Sequence, residues 1–238
     1  MSNTTATTMA MPKPHRDRGI EGRLATWYAK TTAKSMREFQ ELAQRVAGLA
    51  REGGSVLEVA PGPGYFSIEL AKLGRQHVTG VDLSPDMVKI ARRKAAEAGV
   101  SVNFEQGNSS NLPFQGETFD FLLCRAAFKN FAQPVRAIEE MYRVLKPGGA
   151  ALIIDLRRGA SWPEVSQAVD AMGLGGVNRA ITKLTFRFML LKNAYTREHL
   201  EQMAAQTSFG TAKITERGIG MEVVLRKGTG RPGDSPSA

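Results

Sequence analysis

The stretch from Val56 to Tyr65 constrains the fold more than any other part of the chain. It reads Val-Leu-Glu-Val-Ala-Pro-Gly-Pro-Gly-Tyr, a short apolar strand followed by a glycine-rich turn. Glycines between a strand and a helix let the backbone approach a ligand closely, because no Cβ intervenes. A second apolar strand then ends in Val81-Asp82. This order is typical of the first half of a nucleotide-binding α/β sheet.

Strands and helices alternate through most of the chain. The apolar pattern predicts five strands with helices between them, at residues 55–60, 77–82, 101–105, 118–124 and 150–156. Alternation of this kind predicts a doubly wound α/β fold, in which helices cover both faces of a parallel sheet. The pattern then changes to a helical insert at about 161–206. Two final strands, 211–216 and 221–226, are joined by a short glycine turn, which predicts an antiparallel pair.

The two ends of the chain differ in composition from its middle. Residues 1–18 and 228–238 are predicted to be disordered, which leaves 19–227 as a single domain. No apolar run is long enough to span a bilayer, and the first residues lack the apolar core of a secretion signal. Cys124 is the only cysteine, which excludes an intrachain disulfide and a cysteine zinc site. These features predict a cytoplasmic protein, and no metal site is expected.

The chain is strongly basic, with a formal net charge of +9. Such a charge raises the question of a nucleic-acid or anionic-membrane partner. The basic residues are spread along helical stretches, as in Arg92-Arg93-Lys94, and no uninterrupted basic run or basic-aromatic alternation occurs. We therefore interpret the charge as solvated helix faces, and a nucleic-acid partner is not expected.

The glycine turn differs from a dinucleotide fingerprint in two ways. That fingerprint has the form G-x-G-x-x-G; here Gly62 and Gly64 are present, but Ser67 occupies the third place. The strand also carries Glu58 close to where a pyrophosphate would lie. An acid there disfavours an anionic ligand and favours a cationic one. S-adenosylmethionine carries a sulfonium and an ammonium, so the turn favours this cofactor over a dinucleotide.

Two further positions complete the predicted nucleotide site. Asp82 ends the second strand, and a carboxylate there suits the two donor hydroxyls of a ribose. The alternative is that Asp82 helps to cap the helix that begins near Ser84; we favour the ribose role because of its strand-end position. Asn108 and Ser109 follow the third strand, where an asparagine can bond both the exocyclic amine and a ring nitrogen of adenine.

Longer motifs around these positions occur in a characteristic order. They are Leu57 to Gly64, Val81 to Met87, Gly107 to Phe114, Phe119-Asp120 and Arg143 to Gly149. Over roughly residues 50–156 the chain resembles the class I S-adenosylmethionine-dependent methyltransferases, specifically the small methyltransferase-domain group with ubiquinone- and menaquinone-type relatives. The resemblance implies a Rossmann-like seven-stranded sheet, mostly parallel, whose last strand is antiparallel. It also implies a methyltransferase that uses S-adenosyl-L-methionine.

The resemblance, with the reasoning above, gives a set of cofactor contacts: Glu58, Ala60, Gly62, Gly64, Asp82, Leu83, Asn108, Ser109, Cys124 and Arg125. The acid and glycines of the first turn would hold the methionine end, and Asp82 the ribose. Leu83 would pack on the adenine, with Asn108 and Ser109 at its edge. The family usually has Asp at position 108; Asn108 keeps a hydrogen-bonding oxygen, so cofactor binding is expected to survive.

The methyl acceptor is expected over the ends of the fourth and fifth strands. Methyl transfer is an in-line displacement at an activated carbon, so the protein mainly aligns the reactants and excludes water. Arg125, Lys129, Arg157 and Arg158 follow these strands and predict a cationic rim for an anionic group of the substrate. The alternative is that some are solvated and one pairs with Asp155. Many relatives carry a histidine in the loop after the fourth strand, where this chain has lysine and asparagine, so we assign no general base.

The helical insert is apolar on more than one face between Ile181 and Leu191, so it needs a second surface against which to pack. The candidates are a lid over an apolar substrate, a dimer contact and ordinary core. We favour a lid that places Phe188 on the substrate; a homodimer through the insert is an alternative. Trp27 and Tyr28 are further candidates for closing the pocket, or else anchor the N-terminal segment.

These features predict a methyltransferase that acts on oxygen, nitrogen or carbon of a small metabolite with an anionic group and an apolar part. One alternative is an RNA methyltransferase, prompted by the positive charge. The chain lacks an Asn/Asp-Pro-Pro-aromatic motif after the fourth strand, which disfavours methylation of a base amine. Another alternative is a regulatory protein that binds S-adenosylmethionine without turnover.

Overall fold

The computed structural model describes residues 19–173 and 175–229. Seven strands form one sheet: β1 Ser55–Val59, β2 His77–Asp82, β3 Asn103–Gln106, β4 Phe119–Arg125, β5 Leu145–Leu156, β6 Lys213–Arg217 and β7 Gly220–Arg226. Their order is β3-β2-β1-β4-β5-β7-β6. Strand β7 runs antiparallel to both of its neighbours, and the pairs among β1 to β5 are parallel. The predicted fold class and the antiparallel last strand are confirmed. The predicted disorder of residues 1–18 and 228–238 lies outside the described residues, except at Gly228 and Thr229, where Gly228 O accepts a hydrogen bond from Gly148 N at 3.2 Å.

Eight α-helices flank the sheet in the described part of the chain: α1 Gly22–Thr32, α2 Met36–Leu49, α3 Tyr65–Lys72, α4 Pro85–Glu97, α5 Pro134–Val144, α6 Trp162–Asp170, α7 Gly176–Thr185 and α8 Arg197–Ala205. A π-helical turn, Phe186–Leu190, directly follows α7. Strand β1 shows why both faces need helices. Its Leu57 and Val59 pack into one apolar cluster with α5 and α8, whereas Val56 packs into another with α2 and α3.

Capping residues place the helices that the sequence predicted. Ser84 Oγ accepts a hydrogen bond from Met87 N at 3.2 Å, and Pro85 occupies the first turn of α4. Ser161 and Glu164 form the predicted capping box of α6. These local signals fix where each helix begins, and therefore which loops face the carboxyl edge of the sheet.

Helix α1 was not predicted from the sequence. It has no side-chain cap, and its threonines and aromatic residues have modest helix propensity. Tertiary contacts stabilise it instead, since Ala25 and Ala29 are buried against the domain. Strand β5 also begins earlier than predicted, because Leu145 pairs with Phe119 before the irregular turn that precedes Ala150.

Candidate functional site

A cleft of about 180 Å³ lies at the carboxyl ends of β1, β2 and β4, beneath α1 and the start of α2. Parallel sheets bind ligands at this edge, where the strand order reverses on either side of the first strand. Of the sixteen predicted site residues, nine line the cleft: Glu58, Ala60, Gly62, Asp82, Leu83, Asn108, Ser109, Arg125 and Tyr28. The others lie elsewhere, for reasons given below.

Glu58 is a buried carboxylate on β1, with 3% of its surface exposed. Its Oε2 accepts hydrogen bonds from Ser67 N at 3.2 Å and from Ser67 Oγ at 2.5 Å. Burial raises the pKa of Glu58 to about 7, even though the two bonds from Ser67 lower it. Ser67 therefore has a specific function at the place where a dinucleotide fingerprint has glycine. The pair forms a partly ionised acid that a cationic ligand would stabilise in its charged form.

Asp82 joins two loops at the opposite wall of the cleft. Its Oδ2 accepts from Gly62 N at 2.9 Å, and its Oδ1 accepts from Ser84 N at 2.9 Å. Burial raises the pKa of Asp82, and these two backbone bonds oppose the shift. The side chain of Ser84, rather than Asp82, caps α4. A carboxylate has about four acceptor positions, so two remain open to hydrogen-bond donors of a ligand.

The two glycines of the turn have different roles. Gly62 has φ +54°, and a Cβ there would lie 3.7 Å from the ring of Tyr28, so the ring covers the loop. Gly64 has φ +78°, and a Cβ there would lie 2.6 Å from Phe104 Cζ. Gly64 does not line the cleft: it lets β3 pack against the turn. Cys124, predicted as a lining residue, is fully buried within β4 and also lies outside the lining.

The predicted adenine side is formed by the loops after β2 and β3. Leu83, Asn108 and Ser109 line the cleft there. Asn108 Oδ1 accepts from Ser110 N at 2.8 Å, which holds the loop in a tight turn. Gly107 N donates to the backbone oxygen of Asp82 at 3.0 Å. The loops after β2 and β3 are thus connected through the backbone.

Residues 19–32 form a cover over the cleft. Ser84 Oγ donates to Ile20 O at 2.6 Å, Gly22 N donates to an oxygen of Asp86 at 2.6 Å, and Tyr65 Oη donates to Ala29 O at 2.9 Å. Tyr28 on the inner side of α1 lines the cleft.

Trp27 does not line the cleft, contrary to the prediction for this residue. It is 60% exposed, because successive residues of a helix point about 100° apart. Within the described residues Gly19 and Ile20 also reach the cleft, and no sequence signal pointed to them.

Arg125 is the cation of the cleft. It is the last residue of β4, and its Nη2 donates to Glu38 Oε2 at 2.8 Å. Its guanidinium lies 4.6 Å from the centre of the Phe39 ring. The positive charge of Arg125 lowers the pKa of Glu58, although less than burial raises it. One cation and two carboxylates therefore share the cleft.

Lys129 is an internal cation rather than a rim residue. Its Nζ lies 2.9 Å from Asp155 Oδ1 and 3.0 Å from Ala126 O, and its backbone N donates to Asp155 Oδ2 at 3.0 Å. Lys129 is therefore the cation that pairs with Asp155, as in the alternative considered from the sequence. The neighbouring Asn130 and Phe131 line the cleft instead. The sequence indicated this loop but not which of its residues face the ligand.

Arg157 and Arg158 connect β5 to the helices that follow it. Arg157 Nη2 lies 2.6 Å from Glu164 Oε1, and its Nε donates to Gly218 O at 2.7 Å. Arg158 donates to the backbone oxygen of Lys192. Neither lines the cleft, so of the four predicted rim cations only Arg125 reaches it. Phe188, predicted as a lid contact, is 63% exposed and also lies outside the lining.

The Lys129–Asp155 pair is expected to stabilise the loop that forms one wall of the cleft. Replacing Lys129 with methionine leaves Asp155 buried without its cation, which is expected to lower the free energy of unfolding by about 3–5 kcal/mol. The exposed Arg37–Glu41 pair is a matched control, for which Arg37→Met should cost less than about 1 kcal/mol. Urea unfolding followed by circular dichroism measures both. Equal losses in the two variants would contradict a structural role for the buried pair.

Comparisons with known proteins agree with this geometry. A family model described as "Methyltransferase domain" matches residues 56–149. A demethylmenaquinone methyltransferase of Deinococcus radiodurans is 39% identical over 114 residues, which cover 48% of this chain and 47% of that protein. One of Listeria monocytogenes is 35% identical over 139 residues, which cover 57% of this chain and 54% of that protein. The chain thus spans about half the length of the curated relatives that it matches.

The fold is also found among solved structures. A protein of Methanococcus maripaludis, described as a candidate S-adenosyl-L-methionine-dependent methyltransferase, superimposes with a TM-score of 0.71 and 19% identity. The match covers 90% of this chain and 96% of that protein. Sheet order, cleft and family match together define the α/β methyltransferase class. The chain carries a class I S-adenosylmethionine-dependent methyltransferase domain and is distantly homologous to the demethylmenaquinone methyltransferases.

Proposed function

We propose that this chain transfers the methyl group of S-adenosylmethionine to a small aromatic acceptor of the quinone type that carries an apolar part. The observation that carries the cofactor assignment is the charge arrangement of one cleft: Glu58, Asp82 and Arg125 all line it. The ammonium of the cofactor suits Glu58, the ribose diol suits Asp82, and the carboxylate suits Arg125. The quinone-type acceptor is supported by the names of the relatives, which are demethylmenaquinone methyltransferases.

The wall beside Arg125 suits an apolar acceptor. Ala126, Ala127 and Phe131 line it, with Asn130 as a polar group among them. In the proposed reaction a nucleophilic carbon or oxygen of the acceptor attacks the methyl carbon in line with the sulfur. The carbon–sulfur bond breaks, the sulfonium becomes a neutral thioether, and the acceptor loses a proton to solvent. The protein contributes alignment and exclusion of water.

The acceptor is tested by incubating the chain with methyl-labelled cofactor and a reduced demethylmenaquinone. We expect label in a product one methyl group heavier, identified by mass spectrometry. The same reaction with bulk RNA as acceptor should give no labelled product. Label in RNA but not in the quinol would overturn the proposed acceptor class. Cofactor binding without transfer to the quinol or to any fraction of a metabolite extract would support a regulatory role instead.

The proposed carboxylate contact gives a separate prediction. Arg125→Met should weaken S-adenosylmethionine binding about 10-fold or more, because a charge-assisted hydrogen bond contributes about 1.5–3 kcal/mol. Binding of methylthioadenosine, which lacks the amino-acid group, should change little. Calorimetry measures both ligands, and Arg45→Met, at a surface pair with Glu222, is the control. An equal loss for both ligands would exclude a specific contact with the carboxylate.

A further inference from the structure

Helix α7 and the turn after it have their apolar side on the outside of the protein. Four apolar residues of this stretch are exposed: Val177 76%, Ile181 56%, Leu184 51% and Phe188 63%. They are spaced four, three and four positions apart, so they form one stripe along the helix. A helix that packs on a core has its apolar stripe turned inward. This one has the opposite orientation.

The inner side of α7 is polar, which explains the orientation. Lys183 Nζ lies 2.6 Å from Ser166 Oγ and 2.9 Å from Asp170 Oδ1 on α6. Arg179 Nε lies 3.7 Å from the same Asp170 oxygen. These contacts hold the charged side of α7 against α6. These ion pairs favour the orientation in which the apolar stripe faces outward.

The sequence around the stripe is basic, although part of its charge is paired. Between Asp170 and Glu198 it contains no acidic residue and five cations, Arg179, Lys183, Arg187, Lys192 and Arg197. Arg179 and Lys183 pair with Asp170, and Arg197 lies 3.7 Å from Glu201 and from Glu216. The whole chain carries a formal net charge of +9. A basic stretch with an exposed apolar stripe complements an anionic lipid surface, where apolar side chains enter the headgroup boundary and cations meet the headgroups.

Helix α1, which covers the cleft at the carboxyl edge of the sheet, has a second pair of exposed apolar residues. Leu24 and Trp27 are 58% and 60% exposed and lie three positions apart, so they share one side of the helix. Arg23 and Lys30 on this helix are exposed as well. Tryptophan is favoured at the boundary of a bilayer, where its ring is both apolar and a hydrogen-bond donor. Tyr28 of α1 lines the cleft, so this contact adjoins the candidate active site.

We infer that the stripe of α7, together with Leu24 and Trp27 of α1, forms a docking face for the surface of an anionic lipid bilayer. The inference depends on exposure, orientation and charge, and not on the identity of the methyl acceptor. Docking of this kind needs no spanning segment, and no helix among the described residues is long and apolar enough to cross a membrane. The protein would lie on the bilayer with the edge of its cleft facing the lipid.

Co-sedimentation with lipid vesicles tests the docking face. The full chain is mixed with vesicles of phosphatidylcholine alone, or of phosphatidylcholine with phosphatidylglycerol. We expect it to sediment with the anionic vesicles only, and to be partly released by salt. The double variant Ile181→Glu/Leu184→Glu should lose at least tenfold in vesicle affinity while its thermal unfolding and cofactor binding stay unchanged. Leu49→Glu is the matched control, because Leu49 is 57% exposed on α2, outside the docking face.

Tryptophan fluorescence tests whether α1 contacts the bilayer. The chain has two tryptophans, so Trp162→Phe leaves Trp27 as the only one, and its emission should shift to shorter wavelength on anionic vesicles. The inference is overturned if the chain stays in the supernatant at low salt, or if the double variant binds as well as the original chain. It is also overturned if light scattering shows a dimer that only the double variant dissociates, or if the face binds RNA rather than vesicles.

Discussion

Replacing Asp82 with alanine is expected to weaken S-adenosylmethionine binding by about 100-fold or more. Two hydrogen bonds from ribose hydroxyls to a carboxylate, each contributing about 1.5–3 kcal/mol, would be lost together. The variant also frees the backbone N–H groups of Gly62 and Ser84, which the carboxylate orders in the structure. The overall loss measured by calorimetry therefore combines a direct contact with loop order.

A cofactor analogue separates the two contributions. The 2′-deoxy form of S-adenosylhomocysteine has one ribose hydroxyl fewer than S-adenosylhomocysteine itself. The original chain should bind the deoxy form more weakly than the parent compound, whereas Asp82→Ala should show a much smaller difference between the two. Asp120→Ala is the matched control, because Asp120 also accepts from a backbone N–H, that of Ser55, but lies at the other end of the sheet. Its cofactor affinity should stay unchanged. If Asp82→Ala distinguished S-adenosylhomocysteine from its 2′-deoxy form as strongly as the original chain does, a ribose role for Asp82 would be excluded.

Cofactor binding is expected to strengthen about tenfold between pH 6 and pH 8, because the fraction of Glu58 that is ionised rises over this range. The pKa of this carboxyl is about 7 in the free protein, raised by burial. A cationic ligand favours the ionised form, so binding at low pH must first remove a proton. Glu58→Gln should bind the cofactor more weakly at pH 8 and should lack this pH dependence. Calorimetry across the range measures both effects.

The Glu58 carboxyl also makes the stability of the free protein depend on pH. Stability is expected to fall as the pH rises, whereas cofactor binding is expected to strengthen. The pKa of this carboxyl is about 7 when folded and 4.5 as the ordinary value, so its stabilising contribution is complete below about pH 4.5 and is lost as the pH rises through about 7. A shift of this size corresponds to about 3 kcal/mol. Ser67→Ala removes the hydroxyl bond to the ionised form, while the backbone bond remains, and should move the transition to higher pH. A transition unmoved by this change would show that Glu58 is not the titrating group.

The sequence was sufficient to predict those elements for which local signals and the apolar pattern agree. The apolar strands, the caps at Ser84 and Ser161 and the antiparallel final pair each depend on neighbouring residues, so they could be predicted. The acids at the ends of β1 and β2 lie in the cleft for the same reason, since the ends of parallel strands meet at one edge.

What could not be predicted depends on contacts between distant residues. Lys129 becomes internal because Asp155 of β5 lies beside it, and Arg157 is held by Glu164 and Gly218. The periodicity of 181–191 identified an apolar helix but not the side that faces water. The charged side lies against α6, where Arg179 and Lys183 pair with Asp170. A cationic residue in sequence gives no indication of whether its partner is a ligand or a carboxylate of the same chain.

The cover formed by residues 19–32 has a consequence for the speed of the reaction. A cofactor seated beneath Tyr28 would be partly covered by this segment, which three hydrogen bonds to α3 and to the start of α4 hold in place. Each such bond contributes about 1 kcal/mol net, so the segment can open without unfolding the sheet. Opening motions of this size are often slower than the chemical step. We therefore expect the exchange of spent cofactor for fresh cofactor, rather than methyl transfer, to limit turnover.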